Sequence, residues 1–414
     1  MQSTTTARPS AETGKPPIGA AMLFTLAVLA AVAPFGIDLY LSAFPAMTTE
    51  LGTTATGVQL SLTTFLIGAG LGQAAFGPWS DRAGRMVPLL TGLAVFIGAS
   101  VVAVAADSIE ILVGARLLQG LGGAAGMVIG RAIILDRNEG AQAAQALNLM
   151  MMIGGVAPVV APLAGALLAD SIGWRGLLAI VGTLGVLSLI ATLAFVRESL
   201  PASVRAARRK AGDRGAWRRL LTRGYIGHVL AFGFGMAIMM SYISASPFVY
   251  QDMIGLGTEQ YGLAFAVNAI GMVLATALSA RLTQRFHIRS LALTGLSVSL
   301  AAALTILVLS IMGTPTSWLM VPLFLAIAPL GLVFGNTTAL ALSAVPHTTT
   351  GVASAVLGLL QFTLAGIVAG LVGIAGEDTT LPLALTMLTA ALIALAGLAL
   401  GRGRVGPPRE HSRT

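Results

Sequence analysis

Charged residues divide the chain into long apolar stretches. The charge-free runs cover residues 16–37, 51–80, 86–106, 140–169, 176–196, 224–251, 260–280, 290–376 and 379–401. Since about 20 consecutive apolar residues cross a bilayer, most of these runs are long enough for one span. The run 290–376 contains turn-forming residues at 314–317 and 345–351, which divide it into three spans. The segment 110–134, interrupted by two arginines, adds one more.

These runs predict an all-α membrane protein with twelve transmembrane helices in two bundles of six. We place the helices at about 18–44, 55–79, 86–106, 110–133, 143–169, 175–196, 225–247, 259–280, 290–312, 318–344, 351–375 and 380–401. The composition agrees, because 56% of the residues are hydrophobic and only 10% are charged, against roughly 25% charged in soluble proteins. A water-soluble globular protein is therefore excluded.

The basic residues fall on one side of the predicted spans. If the chain starts in the cytoplasm and crosses twelve times, 22 of the 24 Lys and Arg residues lie in cytoplasmic loops or tails. Such a bias sets the orientation of membrane proteins, so both termini are predicted to be cytoplasmic. The net charge of +8 does not indicate nucleic-acid binding, because the basic residues are dispersed and lack interleaved aromatic residues.

The spans and the charges together predict five segments. They are a cytoplasmic tail (1–17), a six-helix bundle (18–196), a basic cytoplasmic linker (197–224), a second six-helix bundle (225–401) and a cytoplasmic tail (402–414). A repeat relates the bundles, because Tyr-Leu-Ser-Ala-Phe-Pro at 40–45 recurs as Tyr-Ile-Ser-Ala-Ser-Pro at 242–247. Two homologous halves predict a substrate site between them, near the midplane, and alternating access by rocking. The linker is either an amphipathic helix on anionic lipid or a plain topology anchor.

Four stretches of the chain resemble a known family. Residues 77–85 read Gly-Pro-Trp-Ser-Asp-Arg-Ala-Gly-Arg, which resembles the G-x-L-S-D-R-x-G-R signature of the major facilitator superfamily. Three others resemble its bicyclomycin- and chloramphenicol-resistance subgroup (Bcr/CflA) of drug:proton antiporters. They are Ile-Asp-Leu-Tyr-Leu at 37–41 followed by Phe44-Pro45, Arg-Leu-Leu-Gln-Gly at 116–120, and the Pro- and Gly-rich run at 154–165.

This resemblance implies the major facilitator fold and proton-coupled multidrug or antibiotic efflux at the bacterial inner membrane. It also implies a conformational latch, in which the signature's carboxylate lies near the start of the eleventh helix. The latch residues are Gly77, Asp81, Arg82, Gly84 and Arg85, and we expect the two glycines to allow a tight turn.

The resemblance also marks the fifth predicted helix as an antiporter motif. Its residues are Gly154, Gly155, Pro158, Pro162 and Gly165. Prolines and glycines together give a bent helix with a surface of small residues, so we expect close packing against the other half. A kink without a transport role is the alternative.

Two charges lie inside predicted spans at a similar depth. Asp38 is roughly 10 Å inside the outer end of helix 1, and Arg116 lies about two turns into helix 4. Because unpaired charge in a bilayer is unfavourable, we predict that they share a cavity and couple transport to protons. Burial favours the neutral acid, whereas the guanidinium favours the carboxylate. Alternatively, Asp38 only locks the helices together, and Arg116 orients substrate or binds backbone carbonyls at a kink.

Aromatic, amide and thioether side chains that face the predicted central cavity are candidates for substrate binding. They are Tyr40, Gln59, Met150, Met151, Phe234, Tyr242, Asn268, Asn336, Gln361 and Phe362. Apolar walls with a few polar groups suit a small amphipathic drug. Packing or lipid contact is the alternative for the methionines, and interhelical hydrogen bonding is the alternative for Asn268 and Asn336.

The sequence offers no enzymatic constellation. It has no Walker A motif and no Cys, and its four His residues lack metal-ligand spacing, so we expect no enzyme, cofactor or metal site. The expected partners are a small-molecule drug, protons and the lipid bilayer, with a monomer as the functional unit. The prediction is antiport of a small, largely neutral amphipathic compound such as a phenicol or bicyclomycin. An exporter of an endogenous metabolite with incidental drug resistance and a non-transporting membrane sensor are the alternatives.

Overall fold

The computed structural model describes residues 19–138, 140–203, 205–206, 220–346, 350–373 and 379–401. Within these ranges the chain is built from helices and short connections, without β-strands. Eleven of the helical segments in the described part are long and apolar enough to cross a membrane. The predicted all-α membrane fold is therefore confirmed. The predicted N-terminal tail, most of the basic linker and the C-terminal tail lie outside the described residues.

The described part of the first half forms six helices, and the last of them contains a sharp bend. The helices are α1 (Ala20–Asp38), α2 (Phe44–Glu50), α3 (Ala55–Ala83), α4 (Met86–Val104), α5 (Ile109–Arg137) and α6 (Gly140–Phe195). The 56 residues of α6 would measure about 84 Å as one straight helix, nearly three bilayer thicknesses. Gly173 interrupts α6 with φ +63°, a backbone conformation that glycine adopts without steric penalty. The helix therefore crosses twice, which gives the twelve predicted spans.

The described part of the second half contains seven helices, because one span is broken. They are α7 (Arg223–Pro247), α8 (Thr258–Leu282), α9 (Ile288–Ile311), α10 (Met320–Ile327), α11 (Phe334–Ser343), α12 (Thr350–Gly373) and α13 (Leu381–Leu400). A 3₁₀ turn at Ala328–Leu332 separates α10 from α11. It contains Pro329, which cannot donate a backbone hydrogen bond. Together the two short helices and this turn form the span predicted at 318–344.

The helices pack as two bundles that meet along two seams. Helices α1 and α3 to α6 pack on one another, as do α7 to α13, while α3 packs on α12 and α6 packs on α8 across the boundary. We call the end of the molecule where α1 begins and α13 ends the terminal face, and the opposite end the far face. The predicted site residues that the structure describes lie mostly in or beside these seams.

Two helix ends differ from the predicted boundaries. Helix 1 was expected to reach residue 44, but α1 ends at Asp38 and a 3₁₀ turn, Leu41–Ala43, leads into α2. The backbone of Tyr40, with φ −100° and ψ 0°, leaves the helical region. Conversely, α3 continues past residue 79 to Ala83. Charged residues at a membrane surface do not end a helix, so the charge pattern placed this boundary too early.

Candidate functional site

Arg116 is a fully buried cation that binds the end of another helix. Its Nη2 donates to the carbonyl of Gly36 at 2.6 Å, and its Nη1 donates to Oε1 of Gln119 at 2.5 Å. The guanidinium also lies 4.4 Å from the ring centre of Tyr40 and 4.2 Å from that of Phe65. Because α1 ends two residues after Gly36, this carbonyl has no partner within its own helix. The cation supplies that partner and balances the negative end of the helix dipole.

The hydrogen bonds around Arg116 reach two further helices. Gln119 donates to Oγ of Ser100 on α4 at 2.8 Å, and Ser100 donates to the carbonyl of Phe96 at 2.7 Å. The Tyr40 hydroxyl lies 2.9 Å from Oγ of Ser61 on α3. The Arg-x-x-Gln spacing thus has a local reason, since residues three apart share one helix face. One polar network joins α1, α3, α4 and α5.

Asp38 is buried at the end of α1 without a full set of hydrogen bonds. Only 3% of its surface is exposed, and its Oδ1 has no partner among the described residues. Both Asp38 and Arg116 are described, yet no ion pair joins them, because the guanidinium is engaged with Gly36. The geometry therefore does not support the alternative in which Asp38 merely pairs with Arg116. Their joint role in coupling stays a prediction.

Four aromatic side chains of the second half contact one another. The ring centres of Tyr242 and Phe265 are 5.4 Å apart, and those of Tyr242 and Tyr250 are 6.3 Å apart. Tyr261 completes the ring of contacts, at 6.2 Å from Tyr250 and 6.1 Å from Phe265. The hydroxyl of Tyr261 also lies within electrostatic range of the Asp38 carboxyl group. We call these four residues the aromatic cluster.

Polar atoms at the edge of the aromatic cluster are only partly satisfied. Asn268 donates to the carbonyl of Ala264 at 2.8 Å and lies 3.5 Å from the hydroxyl of Tyr250. Its Oδ1 and the hydroxyl of Tyr242 have no hydrogen-bond partner within the described part of the chain. Buried polar atoms without partners are rare in folded proteins. Oδ1 of Asp38 and Oε1 of Gln59 are further buried polar atoms without a partner among the described residues.

The two halves are joined by hydrogen bonds at the far face. Gln59 donates to the carbonyl of Ser244 at 3.0 Å, Gln251 donates to that of Ser42 at 3.0 Å, Thr56 donates to that of Gly373, and Thr258 donates to Asp170 at 3.3 Å. The rings of Phe44 and Phe248 meet there as well, 6.0 Å apart. The far face is therefore closed in this structure.

A second charged cluster lies at the terminal face, where the signature resides. The Arg85 guanidinium donates to both carboxylate oxygens of Asp136, at 2.8 and 3.2 Å. It also donates to Asp81 and to Ser80, each at 2.8 Å. Burial opposes the charge of Arg85, but the two carboxylates outweigh this effect and raise its pKa above the ordinary value. Since Asp136 belongs to α5, this arginine clamps α3 to α5.

Glu198, which follows α6, fixes the same loop from the other side. Its carboxylate accepts hydrogen bonds from the backbone N–H of Arg85 at 2.9 Å and of Met86 at 3.2 Å, at the start of α4. Partial burial alone would raise the pKa of Glu198, but these N–H groups, that of Leu200 and the charge of Arg205 lower it. A carboxylate at this position also complements the helix dipole. The start of the linker is thereby attached to the signature loop.

The two signature glycines play different parts. Gly84 lies between α3 and α4 with φ +97°, as expected for a tight turn. Gly77 lies inside α3, so the prediction of a turn at Gly77 is wrong. Asp81 and the exposed Arg82 also belong to the last turns of α3. Residues 347–349, which precede α12, lie outside the described part, so the predicted latch is not tested.

Most of the chain matches one known protein family. The sequence profile of the Major Facilitator Superfamily matches residues 26–370, which is most of the chain. The chain belongs to the major facilitator superfamily. It is accordingly a multi-pass membrane transporter and not an enzyme.

Relatives within the superfamily agree with the resemblance to drug antiporters. The chain is 33% identical over 390 residues to an uncharacterized MFS-type transporter, YdgK, of Bacillus subtilis, covering 93% of this chain and 96% of the relative. It is 30% identical over 389 residues to a chloramphenicol resistance protein of Pseudomonas aeruginosa, covering 91% and 89%. These similarities are consistent with the bicyclomycin- and chloramphenicol-resistance subgroup.

A solved structure supports the superfamily fold. A D-xylose-proton symporter superposes with a TM-score of 0.71 over 93% of this chain and 100% of that chain. The sequences are only 15% identical, so the likeness shows the fold alone. It confirms the predicted arrangement of helices.

The helix-5 motif of this superfamily member faces two neighbours. A Cβ atom added to Gly165 would lie 1.9 Å from the carbonyl oxygen of Leu39, so this glycine packs against α1 of its own half. The expectation that Gly165 contacts the other half is therefore wrong. The adjacent Ala166 and Pro162 do lie against Gly262 of α8 in the other half. The surroundings of Gly154 and Gly155 and the side chain of Met151 lie outside the described part of the structure.

The structure brings some predicted substrate residues together and separates others. Tyr242 and Asn268 meet through Tyr250, and Gln59 reaches the second half at Ser244. Asn336 instead donates to Ser279 at 2.9 Å and to the carbonyl of Leu332, which is the interhelical alternative. Met150 packs against Gly130 and Leu26 inside the first half. Phe362 is buried, and Phe234 and Gln361 are half-buried.

Sequence reasoning missed several residues that the structure places at these sites. Tyr250, Tyr261 and Phe265 were not among the candidates, although three of the five tyrosines in the chain lie in this one cluster. The rarity of tyrosine was a usable signal. Asp136 and Glu198 were also missed. Each stands at the end of a predicted span, where a carboxylate is easily taken for a surface charge.

Proposed function

We propose that this superfamily member is a drug:proton antiporter of the bacterial inner membrane, with its terminal face in the cytoplasm. Its cargo is a small, largely neutral amphipathic compound such as a phenicol or bicyclomycin. The one-sided distribution of basic residues supports this orientation. The similarity to a chloramphenicol resistance protein and the motifs of α1, α5 and α6 support the class of cargo.

One observation carries the proposal: a buried carboxyl group lies within a span, beside the boundary of the two halves. Asp38 has an unpartnered Oδ1 and lies within electrostatic range of Tyr261 of the other half. Ionisable groups within membrane spans are rare and mark proton or substrate pathways. The position lets a movement between the halves change the surroundings of this carboxyl.

The coupling follows from how solvation changes with conformation. With the far face closed, burial without a cationic partner favours the neutral acid at Asp38. Separation of the halves at the far face would admit water and stabilise the carboxylate instead. In the proposed cycle, Asp38 takes up a proton from the far side, the far face closes, and a compound entering from the cytoplasm displaces the proton. Arg116 holds the end of α1 in place during this exchange.

The proposed latch at the terminal face has support from the register of α3 and α12. A Cβ atom added to Gly358 would lie 2.2 Å from Oε1 of Gln73, so these residues are opposite each other. The helices are antiparallel. Asp81 follows Gln73 by eight residues on α3, and Thr350, where α12 begins, precedes Gly358 by eight residues. Asp81 and Thr350 therefore lie at the same level. A carboxylate at that level is attracted to the positive end of α12 and would stabilise one conformation.

The test is substrate-induced proton release from the detergent-purified protein. Wild type is compared with Asp38→Asn over a panel of phenicols, bicyclomycin and cationic drugs, in weakly buffered solution with a pH indicator. We expect release by the neutral compounds that bind, and its loss in Asp38→Asn. The matched control is Glu110→Gln, which neutralises an exposed carboxylate in the first turn of α5 and should release protons like wild type.

The other outcomes distinguish the alternatives. Compounds that bind wild type without releasing protons would show that Asp38 is not the coupling site. If Asp38→Asn retains full proton release, another group carries the proton. A protein that binds none of the drugs but exports cell metabolites would support the endogenous exporter.

A further inference from the structure

Helix α8 presents an apolar stripe that runs along its length to the terminal face. Its exposed residues follow a spacing of three or four, so they share one helix face: Leu263, Val267, Ile270, Leu274 and Leu278 are between 47% and 64% exposed. In the most apolar window of α8 only 28% of the residues are buried, against 61% in α3. In a transporter this stripe is the surface that faces the lipid tails.

The apolar stripe of α8 is followed at the terminal face by two arginines. Continuing with the same spacing from Leu278 gives Arg281 and then Arg285, both exposed. The backbone N–H groups of Arg285 and Phe286 bind the carbonyl of Leu282 at 2.9 and 2.8 Å, so the chain keeps a helical turn beyond the end of α8. Arg281 and Arg285 therefore stay on one face. Two cations lie where a lipid-facing surface reaches the membrane–water boundary.

The pseudo-equivalent loop of the first half contains an arginine paired with carboxylates, whereas this loop contains none among the described residues. The repeat aligns Arg82 with Arg285 and Asp81 with Gln284. In the first half Asp81 and Asp136 bind Arg85. In the second half no described acidic residue forms an ion pair with Arg281 or Arg285. The side chain of Phe286 is 54% exposed and can enter the boundary between lipid tails and headgroups, as aromatic side chains do.

We infer that Arg281, Arg285 and Phe286 form a binding site for the phosphate headgroup of an anionic phospholipid. The two guanidinium groups bind the phosphate and its negative charge, for which arginine geometry is suited. Phe286 and the apolar stripe of α8 cover the upper part of the acyl chains. The site does not depend on the transported compound or on proton coupling.

The test compares lipid composition with charge at this loop. The full-length protein is reconstituted in nanodiscs of phosphatidylcholine alone or with phosphatidylglycerol. The midpoint of thermal unfolding is measured, and bound lipid is counted by native mass spectrometry. We expect phosphatidylglycerol to raise the midpoint of wild type. The variant Arg281→Gln with Arg285→Gln should lose most of this rise and of the retained phosphatidylglycerol. A basic residue near an anionic surface contributes affinity of roughly fivefold.

The matched control is Arg82→Gln, an exposed arginine at the equivalent position of the first half. It should keep the rise and the bound lipid. A second variant, Arg281→Lys with Arg285→Lys, keeps the charge and should retain an intermediate rise, which separates lipid binding from misfolding. The inference is wrong if the glutamine variant keeps the full rise and lipid count, or if Arg82→Gln loses them equally. Lower stability of the glutamine variant in both lipids, with an unchanged rise, would instead show that acids of the chain itself pair with the arginines.

Discussion

At the scale of single residues, the first half is organised around one buried cation. Arg116 fills the hydrogen-bonding gap that α1 leaves where it ends, and it is stacked between two rings. Two hydrogen bonds and the two rings replace part of the hydration of this buried charge, while its Nε has no partner among the described residues. The Arg-x-x-Gln motif therefore has a structural use in addition to any part in coupling.

Replacing Arg116 by methionine should destabilise the protein. Methionine keeps an unbranched chain in the space but leaves the carbonyl of Gly36 and Oε1 of Gln119 without this donor. An unsatisfied buried acceptor costs about 1–3 kcal/mol. We expect a lower midpoint of thermal unfolding in detergent, and a smaller decrease for Arg116→Lys, which can donate one of the two bonds. The control Arg223→Met, at the exposed start of α7, should leave the midpoint unchanged. An unchanged midpoint for Arg116→Met would contradict this account.

At the scale of helices, close approach depends on single glycines. Gly165 brings α6 so near to α1 that an added Cβ atom would lie 1.9 Å from a backbone oxygen, and backbone cannot move aside as a flexible side chain can. The approach is next to Asp38, at Leu39. The position of the candidate coupling residue is thus set by a neighbouring helix.

Gly165→Ala should therefore separate α6 from α1, lower the unfolding midpoint and reduce transport. The control is Gly98→Ala in α4, where an added Cβ atom has no neighbour within 4 Å. By helix propensity this change is neutral or stabilising, by up to about 1 kcal/mol. Both variants are measured by thermal unfolding and by drug resistance in cells. Equal behaviour of the two variants would show that the contact at Leu39 has no importance.

The helices themselves were accessible from the sequence, but their neighbours were not. Runs without charge mark most spans, because the bilayer penalises charge wherever it lies in the chain. The contact of Gly165 with Leu39, and the meeting of Tyr250 with Tyr242, depend on which helix faces which, and residues far apart in sequence decide this. Motifs identified Asp38 and Arg116, yet they could not show that the two residues do not pair.

At the scale of the whole molecule, the internal repeat predicted two halves, and the structure shows where they touch. The far face is closed by hydrogen bonds such as that of Gln59 to Ser244. Transport by alternating access requires these contacts to separate in each cycle. A covalent link across the far face should therefore stop transport without unfolding either half.

The chain offers a clean way to make that link, because it contains no cysteine. A Cβ atom added to Gly373 would lie 3.5 Å from the Cβ atom of Gln59. The two Cβ atoms of a disulfide are usually about 3.5–4.5 Å apart, so a disulfide can form here. We expect the pair Gln59→Cys with Gly373→Cys to lose drug export when oxidised and to regain it when reduced, as measured in proteoliposomes.

Two controls make this result specific to movement between the halves. The pair Gly224→Cys with Ala344→Cys has a similar separation, 3.4 Å from the added Cβ to that of Ala344, but it links α7 to the end of α11 within one half. Its oxidation should leave export intact. The single variant Gln59→Cys tests whether loss of the amide alone changes transport, since Gln59 is also a candidate substrate contact. If the oxidised Gln59–Gly373 pair still exports drug at the rate of its reduced form, the two halves do not separate at the far face, and the proposed path of the proton to Asp38 must lie elsewhere.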